Sequence, residues 1–160
     1  ITSLDPERKV AICEDGEEIP YDLFLGIPIH RVPAVVDEAG LAEDDWIPVD
    51  DKNLETKFSG VFAVGDVTSA PTPKSGVFAE SAARAVADHL IAEITGEGEP
   101  EPFDGKGSCY VEFGDELVGR MDADFFPGTR PTAPFAQPSV AVADEKKEFA
   151  AVRRKRWIDG

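Results

Sequence analysis

Residues 9–12 carry the apolar pattern of a short strand, Asp15-Gly16 supplies turn chemistry, and residues 17–25 return as a second strand ending in Leu23, Phe24 and Leu25. A hairpin is therefore predicted at the start of the chain. Gly26, Pro28 and Pro33 then break the pattern, residues 35–41 predict a short helix ending near Gly40, and residues 46–49 predict a short strand. Residues 58–67 give the clearest signal of a buried strand, because Val61, Phe62, Ala63 and Val64 form a continuous apolar run between Gly60 and Gly65. A long helix is predicted over residues 76–95. Ser75 stands at the N-cap, Ala79, Ala82, Ala83, Val86, Leu90 and Ile94 fall at helical spacing, and Gly96 lies just past the end.

Residues 96–107 are rich in Gly, Pro, Glu and Asp, which predicts a boundary between a region 1–97 and a region 98–160. Beyond it, residues 108–113 and 117–121 predict a second hairpin around Gly114-Asp115. Prolines between 127 and 138 dictate an irregular or extended connection, and residues 144–157 form a terminal helix. The expected fold class is α/β in the mixed α+β sense: a strand–loop–helix unit followed by a small hairpin-plus-helix domain.

Composition narrows the classes of function. The chain has 160 residues, enough for a core of its own. Its 32 acidic and 16 basic residues give a net charge of −16, which repels a phosphate backbone, so no nucleic-acid partner is expected. The apolar run 23–29 contains Gly26 and Pro28 and falls far short of the roughly 20 residues that span a bilayer. Two cysteines, Cys13 and Cys109, without a secretory leader favour a reducing, cytoplasmic address. The chain starts at Ile1 and its only methionine is Met121, so it is expected to be a fragment of a longer protein. His30 and His89 lack spaced partners, and no metal site is expected.

The chemistry is concentrated in residues 56–66 and 73–84. A strand ending in Gly65-Asp66 lets a flat ligand approach the backbone and sets a carboxylate beside it as an acceptor for hydroxyls. About ten residues on, the helix that starts at Ser75, Gly76 and Val77 offers unpaired N–H groups and a positive dipole end, and Lys74 adds a full charge. Read from residues alone, Asp66 is equally a cap for local N–H groups, Lys74 a solvated lysine, and Cys109 a small buried hydrophobe on one face with Val111 and Phe113.

The block Thr56 to Asp66, with its aromatic-Ala-x-Gly-Asp strand end, resembles the second flavin-contact motif of the pyridine-nucleotide-disulfide oxidoreductase superfamily. The segments 73–80 and 107–115 look most like the sulfide:quinone oxidoreductase and flavocytochrome c sulfide dehydrogenase branch. The resemblance implies FAD as cofactor and a chain that forms the C-terminal part of a split FAD-binding domain. By it, Gly65 and Asp66 meet the ribityl chain, while Lys74, Ser75, Gly76 and Val77 face the pyrimidine edge of the isoalloxazine. Cys109 would be a redox cysteine whose partner lies in the N-terminal half of the parent. That half, with its Gly-rich phosphate loop, is the first partner implied, and no Gly-x-Gly-x-x-Gly occurs here. A quinone or other electron acceptor is the second.

The resemblance leaves alternatives: an NADH:quinone or NAD(P)H-dependent disulfide reductase sharing the flavin motif, or a non-catalytic dimerisation module. The fragment alone is expected to be inactive. The terminal helix opens a further question, since Lys146, Lys147, Arg153, Arg154, Lys155 and Arg156 stand against the single Glu148 in an otherwise acidic chain. A basic helix with Phe149 and Trp157 fits peripheral contact with an anionic membrane through residues 144–157. Its apolar and basic positions are poorly segregated, however, so docking onto the acidic body or onto a homodimer mate competes with that reading.

Overall fold

The computed structural model describes residues 1–126 and 130–159 and contains two compact units, residues 1–30 and 31–160. It has mixed helices and two small antiparallel sheets. Within the first unit, β1 (Ser3–Asp5), β2 (Val10–Ile12) and β3 (Glu18–Pro20) form a meander, with Ser3 opposite Ile12 and Val10 opposite Pro20. Val10 and Ala11 are its buried residues, and Arg8 joins Glu18 across the hairpin at 2.5 Å.

The predicted second strand is cut short at Pro20. Lys9 adopts φ 52°, which ends the extended backbone of β2, so the ladder closes with Tyr21 N–H donating to the Lys9 carbonyl at 2.9 Å. Beyond that point β3 has no neighbour within its unit. Leu23, Leu25, Ile27 and Ile29 are consequently 75%, 85%, 100% and 83% exposed.

In the second unit, α2 (Gly76–Thr95) has the predicted bounds, and α1 (Ala34–Glu38) forms where a helix was predicted over 35–41 but stops at Glu38. Gly96 ends α2 at φ 71°, a left-handed residue where glycine carries no Cβ penalty. The strand predicted over 58–67 is absent. Gly60 and Gly65 take φ 75° and 81°, so the extended run between them is too short for a ladder and makes one bridge, Glu55 to Phe62. Residues 46–49 likewise form bridges rather than a strand: Asp44 and Asp45 take φ 51° and 64°, closing a tight turn from Glu43 to Trp46.

The main core joins Leu54, Ala70, Phe78, Ala82, Val86, Phe103 and Ala123. Phe78, Ala82 and Val86 are therefore the buried stripe of α2, whereas Ala83 and Ile94, expected inside, are exposed. Phe103 anchors the Gly/Pro-rich segment, its N–H donating to the Lys52 carbonyl at 2.8 Å. Gly107 is constrained by the same core, because an added Cβ there would lie 2.7 Å from the Phe78 ring.

Strands β4 (Lys106–Gly114), β5 (Leu117–Asp124) and β6 (Phe135–Ser139) build the second sheet. The hairpin turn is Asp115-Glu116, at φ 48° and 60°, one residue later than predicted. Strand β6 was expected as irregular or extended connection; Pro138 is accommodated where the register with β5 shifts between Val118 and Arg120. Pro127, at the start of that predicted connection, lies outside the described residues. Helix α3 (Val140–Arg154) begins four residues earlier than expected, because the Ser139 hydroxyl accepts from Val142 N–H at 3.2 Å. A π-helical turn, Lys155–Asp159, completes it. Val142 and Ala143 bury against Val118 and Tyr110, fixing the first turn of α3 on the hairpin.

Candidate functional site

The start of α2 is the centre of the site. Ser75 is extended at φ −147° and ψ 157°, and its side chain gives no capping bond to the first turn. Its hydroxyl is buried without a hydrogen-bond partner among the described residues. A 20-residue helix therefore presents its electropositive end with an unpaired polar atom beside it. Gly76 faces open space: a Cβ there would meet no atom within 4 Å.

Asp66 and Ser75 border one small gap of about 10 Å³, too small for a ligand, together with Gly65, Thr68, Lys74 and the core residues Phe78 and Phe103. The strand-end carboxylate and the helix mouth are thus brought to the same place, although the residues between Gly60 and Gly65 are not a strand. Gly65 packs close to α2, its Cβ position 3.6 Å from Ala79 Cβ.

Lys74 is oriented into the loop rather than into open solvent. Its Nζ donates to the carbonyls of Thr68 at 2.7 Å and Ala70 at 2.8 Å and lies 4.7 Å from the centre of the Trp46 ring. Burial pushes its ammonium below the ordinary lysine range, and the Asp66 carboxylate opposes that shift. The segment between Asp66 and Ser75 is therefore pinned from within.

The opposite side of the first turns of α2 opens on a cleft of about 980 Å³. Val77, Ala83, Cys109, Tyr110, Phe149 and Trp157 supply its apolar walls. Ser75 and Gly76 border it as well, so the helix end and Cys109 share one space, whereas Asp66 and Lys74 do not line it. Cys109 is a free, half-buried thiol on β4. Its same-face neighbours Val111 and Phe113 are 41% and 56% exposed, so that face of the hairpin is not packed core. Cys13 belongs to the first unit and is also free.

Sequence reasoning singled out the segments 73–84 and 144–157 but not the rim they build together on this cleft. Glu80, Arg84, Arg153 and Phe149 come from α2 and α3, and only tertiary packing assembles them. The signal available was the basic terminal helix, and among the described residues five of its six cations pair with carboxylates of this chain. Arg153 and Arg156 pair with Glu80, Lys146 with Glu112, Lys147 with Asp144, and Arg154 with Asp159. Beside the cleft, Ser108 Oγ donates to Asp122 Oδ1 at 2.7 Å, and this bond with Arg120 holds the Asp122 carboxyl below the usual carboxylate range.

No group of three or more His, Cys, Asp or Glu residues that could hold a metal occurs among the described residues. No described helix is long and apolar enough to cross a membrane.

With this geometry in view, comparison with known proteins is informative. No family model matches the chain. It is similar to sulfide:quinone oxidoreductases. The mitochondrial sulfide:quinone oxidoreductase of Mus musculus is 29% identical over 141 residues, covering 82% of this chain and 31% of the relative. That of Schizosaccharomyces pombe is 29% identical over 109 residues, covering 64% of this chain and 24% of the relative. The chain therefore spans less than a third of the length of these relatives.

Proposed function

We propose that this chain contributes the second half of an FAD cradle to an oxidoreductase of the sulfide:quinone type. The observation that carries the reading is the α2 N-terminus: an uncapped helix end with an orphaned buried hydroxyl, with the exposed Asp66 close by on one side and an apolar cleft containing Cys109 on the other. The similarity to sulfide:quinone oxidoreductases supports it independently.

Bound FAD would supply two-electron acceptance from a small donor and delivery to a quinone or other acceptor. The residues here fit such a group. Asp66 is exposed and can accept hydrogen bonds from ribityl hydroxyls. The first-turn amides of Gly76 and Val77 and the α2 dipole favour negative charge at the pyrimidine edge, which eases reduction. Lys74 serves this arrangement by holding the loop that joins Asp66 to Ser75. The aromatic side chains of Tyr110, Phe149 and Trp157 line the cleft and suit a flat apolar ring.

In this reading residues 1–97 complete the FAD/NAD(P)-binding region and residues 98–160 cover the flavin. The rest of the parent chain buries the exposed ridge of Leu23, Leu25, Ile27 and Ile29. Docking of α3 onto its own chain is favoured over membrane contact, because carboxylates already pair with its cations.

The test is Asp66→Ala in the whole protein. Loss of one charge-assisted bond of about 1.5–3 kcal/mol weakens FAD binding roughly 10- to 100-fold, read as flavin absorbance per protein after dialysis. Unchanged flavin content refutes the assignment. Titrating the bound flavin with sulfide and separately with NADH distinguishes this reaction from a nicotinamide-dependent reductase.

A further inference from the structure

Glu80 joins α2 to the end of α3 at the rim of the cleft. Its Oε2 accepts from Arg153 Nε at 2.8 Å and its Oε1 from Arg156 Nη1 at 3.3 Å, and the Glu80 side chain is only 17% exposed. The Arg153 guanidinium carbon lies 3.5 Å from the centre of the Phe149 ring, which meets Tyr110 edge-on at 5.5 Å. A continuous chain of contacts from Glu80 through Arg153 and Phe149 to Tyr110 thus runs around the cleft and links α2, α3 and β4.

The two ends of α3 are held by different forces. Val142 and Ala143 bury apolar surface against the hairpin, whereas Val152, Trp157 and Ile158 are 47%, 65% and 76% exposed. Among the described residues Arg154, the last of α3, pairs with Asp159 of the terminal turn. The end of α3 therefore gains little from apolar burial, and its tie to α2 is electrostatic. The π-helical turn 155–159, a geometry often found at functional positions, lies where this tie acts.

We propose that Glu80 is a positioning residue that holds the end of α3 as the closable wall of the cleft, setting access for a flat apolar ligand such as a quinone. The proposal rests on the reading of the cleft given above. A half-buried carboxylate shared by two arginines holds a helix end firmly, yet its removal leaves the apolar anchor at Val142 intact. Neutralising Glu80 should free residues 150–159 and leave the start of α3 in place.

The experiment compares Glu80→Gln with the parent in the whole protein, by amide hydrogen exchange and by steady-state kinetics with a short-chain ubiquinone. Exchange across residues 150–159 is expected to rise about tenfold while residues 140–146 keep their protection. The quinone KM rises by about the same factor with kcat little changed. High salt loosens residues 150–159 in the parent and has no further effect on the variant. Unchanged exchange at 150–159, a rise spread uniformly over the chain, or an unmoved KM overturns the proposal. Exchange reads the tie without any ligand, so its outcome stands apart from failure of the flavin assignment, which Asp66→Ala reports.

Discussion

The ammonium of Lys74 lies 4.7 Å from the centre of the Trp46 ring while donating to two backbone carbonyls, Thr68 O and Ala70 O. This single side chain ties the turn at residues 43–46 to the loop that carries Asp66 and leads into α2. Thr68 and Ala70 are 1% and 5% exposed, so their carbonyls have little water to replace the lysine.

Lys74→Met should therefore destabilise the protein by about 1–3 kcal/mol, seen as a lowered midpoint in denaturant unfolding. The flavin potential of the folded variant should stay near the parent value. A shifted potential at unchanged stability would mean that the ammonium acts on the flavin directly.

Cys109 offers a thiol to the same space as the α2 N-terminus. Cys109→Ser in the whole protein keeps the size of the side chain and removes its capacity to form a disulfide. Reduction of the bound flavin by sulfide is expected to slow about 100-fold or more, as when a nucleophile is removed, with flavin content unchanged. Stopped-flow absorbance measures both; a parent-like rate shows that the thiol takes no part.

The Ser108–Asp122 pair predicts a pH dependence. Asp122 is held below the usual carboxylate range by the Ser108 hydroxyl first and by Arg120 after it. A lowered folded-state pKa contributes stability that is present above about pH 4 and is lost as pH falls through the lowered value. The contribution is small, because the side chain of Asp122 is 43% exposed. Ser108→Ala removes the leading cause, so the Asp122 titration, followed by carboxyl NMR, should move upward toward the ordinary value. A titration that does not move would assign the shift to Arg120.

Where signals were local, the sequence was legible. Helix α2 has the predicted bounds, because Ser75 and Gly96 punctuate it and its apolar residues recur at helical spacing. The hairpin of β4 and β5 followed from alternation around a polar turn, with the turn displaced by one residue. Residues 58–67 were misread because an apolar run between glycines carries no information about its neighbours. Strand β6 was hidden by prolines that look incompatible with pairing until the register shift is seen. Of the candidate site, Gly65, Asp66, Ser75 and Gly76 were visible as a linear motif, while the meeting of Glu80 with Arg153 and of Phe149 with Tyr110 had no local signal.

The amino-acid sequence by itself determined the acidic balance, the long helix with its glycine stop, and the hairpin that carries Cys109. These follow from charge, caps and turn residues acting over a few positions along the chain. The tertiary structure alone decided that Cys109 opens on the same cleft as the α2 N-terminus, that Lys74 is directed into its loop, and that the basic end of α3 rests on Glu80. The first and last of these join residues far apart in the chain, and pairing over such separations depends on how buried apolar faces orient whole elements. Lys74 reaches carbonyls only four and six residues away, but its direction depends on how the loop folds back under Trp46.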